Sequence, residues 1–281
     1  MHRGGLGLGS DGLSGVVKLG GEKGMRKTLF AAALALGFMY GGWAEVTLTY
    51  LGHSCFILRE EEGQTVMIDP YASYVPYPGL PKPADVVLVT HGHIDHCPWC
   101  FGEKDRVLGN PTVVWPFDKQ GHVKEGHWKI TDWLTVDFVE ATHVTKSGHG
   151  QGLVCLFAFD LGGIRFAHLA DLGRPLSREQ VAALGPVQVL MVPVGGYFTI
   201  DAVEAVQVVK QLPTVRVVLP MHYFVEGYCP WKQLSPLDPF LERARSEGWS
   251  VREFDSPSIT LSAESLPNSV EVWVLPFATD P

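Results

Sequence analysis

From Glu45 onward, short apolar runs alternate with clusters of glycine, proline and charged residues, a pattern typical of strands joined by tight turns. The runs at 85–90, 187–194 and 215–219 are apolar almost throughout and predict strands buried on both faces. The remaining predicted strands span 46–50, 55–59, 65–68, 112–115, 134–139, 154–160 and 164–169. Leu161-Gly162-Gly163 predicts a hairpin turn between the last two.

Helical periodicity begins only in the second half of the chain. Helices are predicted at 177–184, 201–212 and 239–247. Asp201 and Glu204 occupy capping-box positions at the start of the second helix. Strands that alternate with helices predict a parallel sheet. Proline, glycine and tryptophan interrupt any period at 97–133, where we expect loops. The pattern therefore predicts one α/β domain at 45–281, with two central sheets and helices outside.

The first 44 residues do not continue this pattern. Residues 1–24 are glycine-rich without a sustained apolar period, so we expect them to be disordered and not part of the native protein. Residues 25–44 have a basic start, an apolar run of about fourteen residues and a small-x-small end at Ala44, the layout of a secretory signal peptide. A buried N-terminal helix is the alternative. We hypothesise that synthesis starts at Met25 and that the chain is exported, periplasmic or secreted, after cleavage near Ala44.

Composition and charge restrict the partners. Hydrophobic residues make up 46% of the chain and charged residues 19%, which indicates a substantial core. No apolar run reaches the roughly twenty residues of a membrane-spanning helix, so we expect no stable span in the mature form. Residues 1–44 carry five basic and two acidic side chains, so their removal takes the formal net charge from −8 to −11. An acidic surface repels phosphate backbones, which favours a small-molecule substrate over nucleic acid.

One stretch concentrates metal-ligating side chains. The segment THGHIDHCPWC (90–100) contains three histidines, one aspartate and two cysteines directly after a predicted buried strand. His91 and His93 could serve one metal, and Asp95 and His96 a neighbouring one, because imidazole and carboxylate together suit zinc, iron or manganese. A histidine-rich surface turn is the alternative interpretation.

Three further candidates follow predicted strands. His143, Asp171 and His222 each lie just past an apolar run, and each alone is as readily explained by a structural role. With the four side chains above they supply five histidines and two aspartates at the sheet edge where α/β proteins place their sites. The other histidines are expected not to be ligands: His122, His127, His149 and His168. Among these, His149 lies between glycines and could touch a substrate.

Several motifs, taken in order, resemble those of the metallo-β-lactamase-fold hydrolases, specifically the branch that includes L-ascorbate-6-phosphate lactonase and related metal-dependent hydrolases. They are YLGHSCF (50–56), MIDPY (67–71), THGHIDH (90–96), ATH (141–143), AHLADLG (167–173), VPVGGYFTIDA (192–202) and LPMHY (219–223). The resemblance implies a single-domain αββα sandwich with a dinuclear metal site.

Motif position also implies a role for each candidate. The ligands it implies are His91, His93 and His143 for the first metal, Asp95, His96 and His222 for the second, and Asp171 bridging both. We expect Asp69 to orient a ligand imidazole by accepting its hydrogen bond. His53 is expected either to do the same or to contact substrate. Tyr197 follows a glycine turn and either points toward the site mouth or packs in the core.

The resemblance implies hydrolysis of a small-molecule ester, lactone, amide or phosphoester by a metal-bound hydroxide. Two divalent ions are expected, with zinc favoured over manganese and iron, and Asp95 would both ligate a metal and handle the proton of the nucleophile. One alternative is a di-iron redox protein on the same fold, although that branch usually replaces His93 with a carboxylate. A non-catalytic metal-dependent binding protein is another. Relatives often oligomerise, so a homo-oligomer is also expected.

Two features depart from the family pattern. Ala170 precedes Asp171 where the family usually has glycine or serine, a change we expect to be harmless. Cys97 and Cys100 form a Cys-x-x-Cys pair against His96, outside any thioredoxin-like setting. In an exported protein a local disulfide is the favoured interpretation, with free thiols beside the metals and a catalytic dithiol as alternatives.

Overall fold

Two large β-sheets face each other across an apolar core in the computed structural model, which describes residues 44–280. The predicted N-terminal extension and all of the predicted signal peptide except Ala44 lie outside the described residues. The strands are β1 (Val46–Gly52), β2 (Cys55–Glu60), β3 (Thr65–Ile68), β4 (Lys82–Pro83), β5 (Val86–Leu88), β6 (Val107–Leu108), β7 (Thr112–Val114), β8 (Gly126–Lys129), β9 (Thr135–Thr142), β10 (Leu153–Leu161), β11 (Ile164–His168), β12 (Val189–Pro193), β13 (Val217–Met221), β14 (Ser250–Glu253), β15 (Ser258–Leu261) and β16 (Glu271–Val274).

The order of the strands brings several carboxyl ends to one edge. The first sheet runs β15-β1-β2-β3-β5-β7, and the second runs β14-β16-β13-β12-β11-β10-β9-β8. β3, β5 and β7 are parallel neighbours, and so are β11, β12 and β13, as the alternation of strands and helices predicts. The predicted hairpin between β10 and β11 is confirmed. Since parallel strands end at the same edge, the loops that follow them lie close together.

In the part of the chain that the structure describes, three α-helices lie on the outer face of the second sheet: α1 (Arg178–Leu184), α2 (Ala202–Gln211) and α3 (Asp238–Ser246). Capping boxes start α1 at Ser177 and α2 at Asp201, the latter as predicted. Phenylalanines such as Phe56 and Phe157 fill the space between the sheets. The predicted two-sheet α/β sandwich is confirmed. The outer face of the first sheet is covered, within residues 44–280, by loops and short 3-10 helices around buried tyrosines.

The predicted loop region at 97–133 is more structured than expected. It contains 3-10 helices at Pro98–Phe101 and Lys104–Arg106, together with β6 and β8. The side chains of β8 are exposed along its whole length, so no apolar alternation marks this edge strand in the sequence. Strands β14 to β16 were not predicted either. None of the helices within residues 44–280 combines the length and apolarity needed to cross a membrane.

Candidate metal centre

The seven candidate ligands follow the ends of four strands. Four of them lie in the turn after β5, and the others follow β9, β11 and β13, all at the edge where the parallel strands end. The side chains form two groups whose potential ligand atoms lie within 4.8 Å of one another: His91, His93, His143 and Asp171 in the first, and His53, Asp95, His96 and His222 in the second. The structure thus brings together all seven predicted ligands, and it adds His53 to them.

The carboxylate of Asp171 touches both groups. Its Oδ2 lies 3.2 Å from Nε2 of His143, in the first group, and 3.2 Å from Nε2 of His222, in the second. Its Oδ1 lies 3.1 Å from Nε2 of His96. A single buried side chain therefore spans the two groups, which is the position that a bridging ligand requires.

Hydrogen bonds fix which nitrogen of His96 and His91 faces the centre. Asp69, directly after β3, accepts hydrogen bonds from Nδ1 of His96 (2.7 Å) and from the hydroxyl and backbone N–H of Thr90 (2.7 and 2.8 Å). The Thr90 hydroxyl donates its only proton to Asp69. Nδ1 of His91, which lies 3.0 Å from that hydroxyl oxygen, must therefore be the donor in the hydrogen bond between them. Both histidines consequently direct Nε2 toward the centre, where it can serve as a metal ligand.

His53 braces the second group from the turn between β1 and β2. Its Nε2 lies 2.9 Å from Oδ2 of Asp95, a hydrogen bond to the carboxylate. The ring packs against His222 at 4.2 Å between centroids and stacks on Trp231 at 5.3 Å. Burial, followed by the charge on His222, lowers the pKa of His53 to about 4, so the ring is neutral.

Backbone strain is concentrated at this centre. In the described chain the non-glycine residues with positive φ are His53, Asp69, Ala170, Tyr197 and His222. Left-handed backbone costs a non-glycine residue about 1 kcal/mol or more and persists where the surrounding structure enforces it. Ala170 has φ 48°, so the alanine that precedes Asp171 occupies a conformation in which glycine would be unstrained.

Two glycines allow close approach to the ligand backbones. A Cβ on Gly195 would lie 2.2 Å from the carbonyl oxygen of His222, and one on Gly150 would lie 2.2 Å from that of His143. Both contacts are far shorter than real Cβ atoms make. These glycines therefore let two loops pack directly against the histidines that they support.

The electrostatics of the centre favour bound cations. Burial opposes ionisation of Asp171, but the neighbouring His222 and His96 hold the pKa of its carboxyl well below the ordinary value of 3.8. Nε2 of His96 and Oδ1 of Asp171 are buried, and neither has a hydrogen-bond partner in the structure. Imidazole nitrogens and carboxylate oxygens arranged in this way suit zinc, manganese or iron, which replace the imidazole protons. The residues present therefore fit a pair of divalent metal ions.

The profile of the β-lactamase superfamily domain matches residues 47–222. The chain belongs to the metallo-β-lactamase superfamily. It is 30% identical to a UPF0173 metal-dependent hydrolase of Carboxydothermus hydrogenoformans, over 63% of this chain and 84% of that protein. It is also 30% identical to a UPF0173 metal-dependent hydrolase of Salinibacter ruber, over 74% of this chain and 96% of that protein. A solved structure assigned to the zinc-dependent hydrolases of the superfamily, from Thermotoga maritima, is 30% identical with a TM-score of 0.62, covering 82% and 98%.

The chain is therefore an enzyme, a metal-dependent hydrolase of this superfamily, and the two groups of histidine and aspartate are its candidate metal-binding sites. A cavity of about 580 Å³ opens above them. Tyr197 lines this cavity, so of its two predicted positions the side chain occupies the one toward the site and not the one in the core. The cavity is also lined by His149, which the sequence marked as a side chain that could touch a substrate, and by Phe101 and Trp231, which it did not assign to the site. The repeated Cys-Pro-Trp at 97–99 and 229–231 is a signal that could have drawn attention to both loops.

Cys97 and Cys100 form a disulfide with Sγ–Sγ 2.08 Å, around the 3-10 helix that ends at Phe101. The described chain also has free buried thiols at Cys55, Cys155 and Cys229. The remaining histidines within residues 44–280 lie outside both groups. His122 and His127 are exposed beside Glu140 and Asp137, and His168 is buried in a hydrogen-bonded position at the end of β11.

Proposed function

We propose that the enzyme is a dizinc hydrolase that cleaves a small-molecule lactone, ester, amide or phosphoester. The observation that carries the proposal is the carboxylate of Asp171, which lies within 3.2 Å of histidine nitrogens from both groups. Such a shared carboxylate would help each group to hold one cation, and the two cations would act on the same substrate. The identity of the metal as zinc is supported by the nitrogen-rich set of side chains and by the zinc-dependent assignment of the Thermotoga maritima relative.

When bound, two such ions lower the pKa of a water molecule and polarise the oxygen that gains charge. The chain's own residues then determine orientation and proton transfer. The carboxylate of Asp95 lines the cavity and accepts a hydrogen bond from His53, which fixes its plane. We assign to Asp95 the role of orienting the nucleophilic water and accepting its proton. His53 is a positioning residue that acts through Asp95.

Metal analysis and an Asp95→Asn variant test this proposal. The purified enzyme should contain two zinc ions per chain and hydrolyse generic lactone or phosphodiester probes. Asp95→Asn should reduce kcat by about 100- to 10,000-fold, the range for a lost general base, because the amide cannot accept the proton. Asp132→Asn is the matched control, since the side chain of Asp132 is 98% exposed and lies outside the cavity.

Three results would contradict the proposal. Near-full turnover by Asp95→Asn would remove its assigned role. Visible absorption from iron would favour the di-iron redox alternative, and a metal-loaded protein inert toward a broad substrate panel would favour a binding protein. Separately, we propose export with cleavage after Ala44; N-terminal sequencing of the native protein that found residues 1–24 would contradict this.

A further inference from the structure

Four phenylalanine, tyrosine and tryptophan side chains line the cavity. They are Phe101, Tyr197, Phe198 and Trp231, here called the aromatic mouth. They come from three separate segments, yet they line the same cavity. Phe101 is 49% exposed and Tyr197 is 40% exposed, so two large apolar surfaces face solvent at the entrance to the metal centre. Exposed apolar surface grouped at a concave site marks a ligand-binding surface.

The aromatic mouth is held in place before any ligand arrives. Tyr197 has φ 57°, and its ring stacks on His149 with centroids 4.0 Å apart and planes inclined by 20°. His149 is itself fixed, because its Nδ1 lies 2.9 Å from the hydroxyl of Ser147 and its backbone N–H donates to the hydroxyl of Thr145. Tyr197 is therefore a preorganised flat surface although it is exposed, which reduces the entropy cost of stacking a substrate on it.

Trp231 and Phe101 of the aromatic mouth are also held in place by their neighbours. Trp231 stacks on His53, so its ring is fixed against a residue of the second metal group. Phe101 ends the 3-10 helix that the Cys97–Cys100 disulfide closes. A flat apolar group that enters the cavity can thus contact rigid aromatic rings while its scissile bond reaches the metals.

The cavity offers no cation to a remote anionic group. None of the fourteen described residues that line it is lysine or arginine. Lys146, in the loop after His143, is paired with Glu204 at 2.6 Å. The Nε of Arg174 donates to the carbonyl oxygen of Val144. A phosphate or carboxylate held away from the metals would lose its hydration without gaining an ion pair, which is unfavourable.

We propose that the substrate carries an uncharged aromatic group next to its scissile bond and no remote anionic group. This inference rests on the proposed hydrolase function. For a lactone the reaction adds one water across the acyl C–O bond: the water oxygen joins the acyl carbon, the ring C–O bond breaks, and the alkoxide leaving group takes a proton. The acid product loses its own proton to solvent near neutral pH.

Three γ-lactones that differ only in one substituent test the inference on the zinc-loaded enzyme. The substituents are hydrogen, phenyl and phosphooxymethyl. We expect kcat/KM for the phenyl lactone to exceed that for the unsubstituted lactone by about 10-fold or more, since aromatic pairs each add about 2- to 10-fold. The phosphorylated lactone should react more slowly than the unsubstituted one. A phosphorylated lactone that reacts equally well or faster would overturn the inference.

Substitutions in the mouth show whether these rings cause the preference. Tyr197→Ala and Trp231→Ala should each reduce the phenyl-to-hydrogen ratio of kcat/KM by about 2- to 10-fold, whereas Tyr197→Phe should preserve it because the ring remains. Trp128→Ala is the control: Trp128 is 44% exposed but packs on Phe138, outside the cavity, and both rates should stay unchanged. An unaltered ratio in both alanine variants would refute the assignment to the mouth.

A binding measurement separates this inference from the proposed function. Calorimetry with 5-phenyl-2-pyrrolidinone, an uncharged phenyl lactam, should show binding to the enzyme and weaker binding to Tyr197→Ala. If no lactone is hydrolysed but the lactam binds in this way, the lactonase chemistry is wrong and the aromatic specificity stands. If lactones are hydrolysed without a phenyl preference, the specificity is wrong and the chemistry stands. If neither is observed, both are wrong.

Discussion

The two groups of candidate ligands differ in exposure and in support. Every residue of the second group is buried, and hydrogen bonds fix two of its members: Asp69, outside the group, orients His96, and His53, within it, orients Asp95. The first group opens to the cavity at His93, whose Nδ1 lies 3.0 Å from Nε2 of His91. A buried, braced group is already formed when a metal arrives, whereas an open group is adjustable and accessible. We therefore expect the second group to bind its metal more tightly.

The carboxylate of Asp171 contacts histidines of both groups, so substituting it is the most severe test of the comparison. Asp171→Asn should lower the content of both metals together and reduce activity by about 1,000-fold or more, because several kcal/mol of transition-state stabilisation depend on the metals. Metal analysis and kcat/KM measure the two effects. Loss of only one metal would show that the groups are independent and that Asp171 does not bridge them.

Asp69 gives a smaller and more selective effect. Asp69→Asn removes the charged acceptor that orients His96, so the affinity of the second group should fall by about 10- to 100-fold, as for other outer hydrogen-bond partners of metal ligands. The first group should be affected less, although Thr90 also loses its partner. Titration with a chelator should then show a difference in affinity between the two metals that is smaller than in the unaltered enzyme. An equal loss of metal affinity in the two groups would contradict the distinction between them.

Much of this centre could be predicted from the sequence because its ligands occupy strand ends. His143 and His222 directly follow β9 and β13, and buried parallel strands have a strong apolar signal. The place of Asp69 beside His96 follows from the parallel pairing of β3 and β5. The closeness of His53 to Asp95 had no such signal, since both residues lie in turns of the first sheet, after β1 and after β5, whose paths no apolar pattern reports.

The aromatic mouth illustrates the opposite case. Phe101 and Trp231 lie in irregular segments whose positions depend on side-chain packing and a disulfide, and no periodicity in the sequence reports either. His149 was expected not to be a ligand, and it lies in neither group. Its stacking on Tyr197 depends on a strained backbone at that tyrosine, which a sequence pattern does not reveal. Candidate metal ligands were thus easier to predict than the aromatic residues that line the cavity.

His168 forms hydrogen bonds with two segments, one next to each group of candidate ligands. Its substitution should have the smallest effect of the changes considered. Its Nδ1 accepts the backbone N–H of Ala170 (3.2 Å), so its Nε2 carries the proton and donates to the carbonyl oxygen of Ser54 (2.9 Å). One neutral ring thereby connects the residue before Asp171 with the residue after His53. His168→Gln retains a side chain able to donate but loses one of these hydrogen bonds, so it should lower the free energy of unfolding by about 1 kcal/mol.

The same variant should change how stability depends on pH. Burial lowers the pKa of His168 below its ordinary value of 6.5, so the unfolded chain takes up a proton at this position before the folded chain does. Its contribution to stability is present above pH 6.5 and is lost as the pH falls below that value, by up to about 1.4 kcal/mol per pH unit. The test is urea unfolding of the metal-free protein at pH 7.5 and pH 5.5. Between these two pH values, His168→Gln should lose less stability than the unaltered chain. The control is His122→Gln, at an exposed histidine, which should lose as much stability as the unaltered chain. Equal losses in all three proteins would mean that His168 is protonated in the folded state, and the neutral connection between the two groups would be wrong.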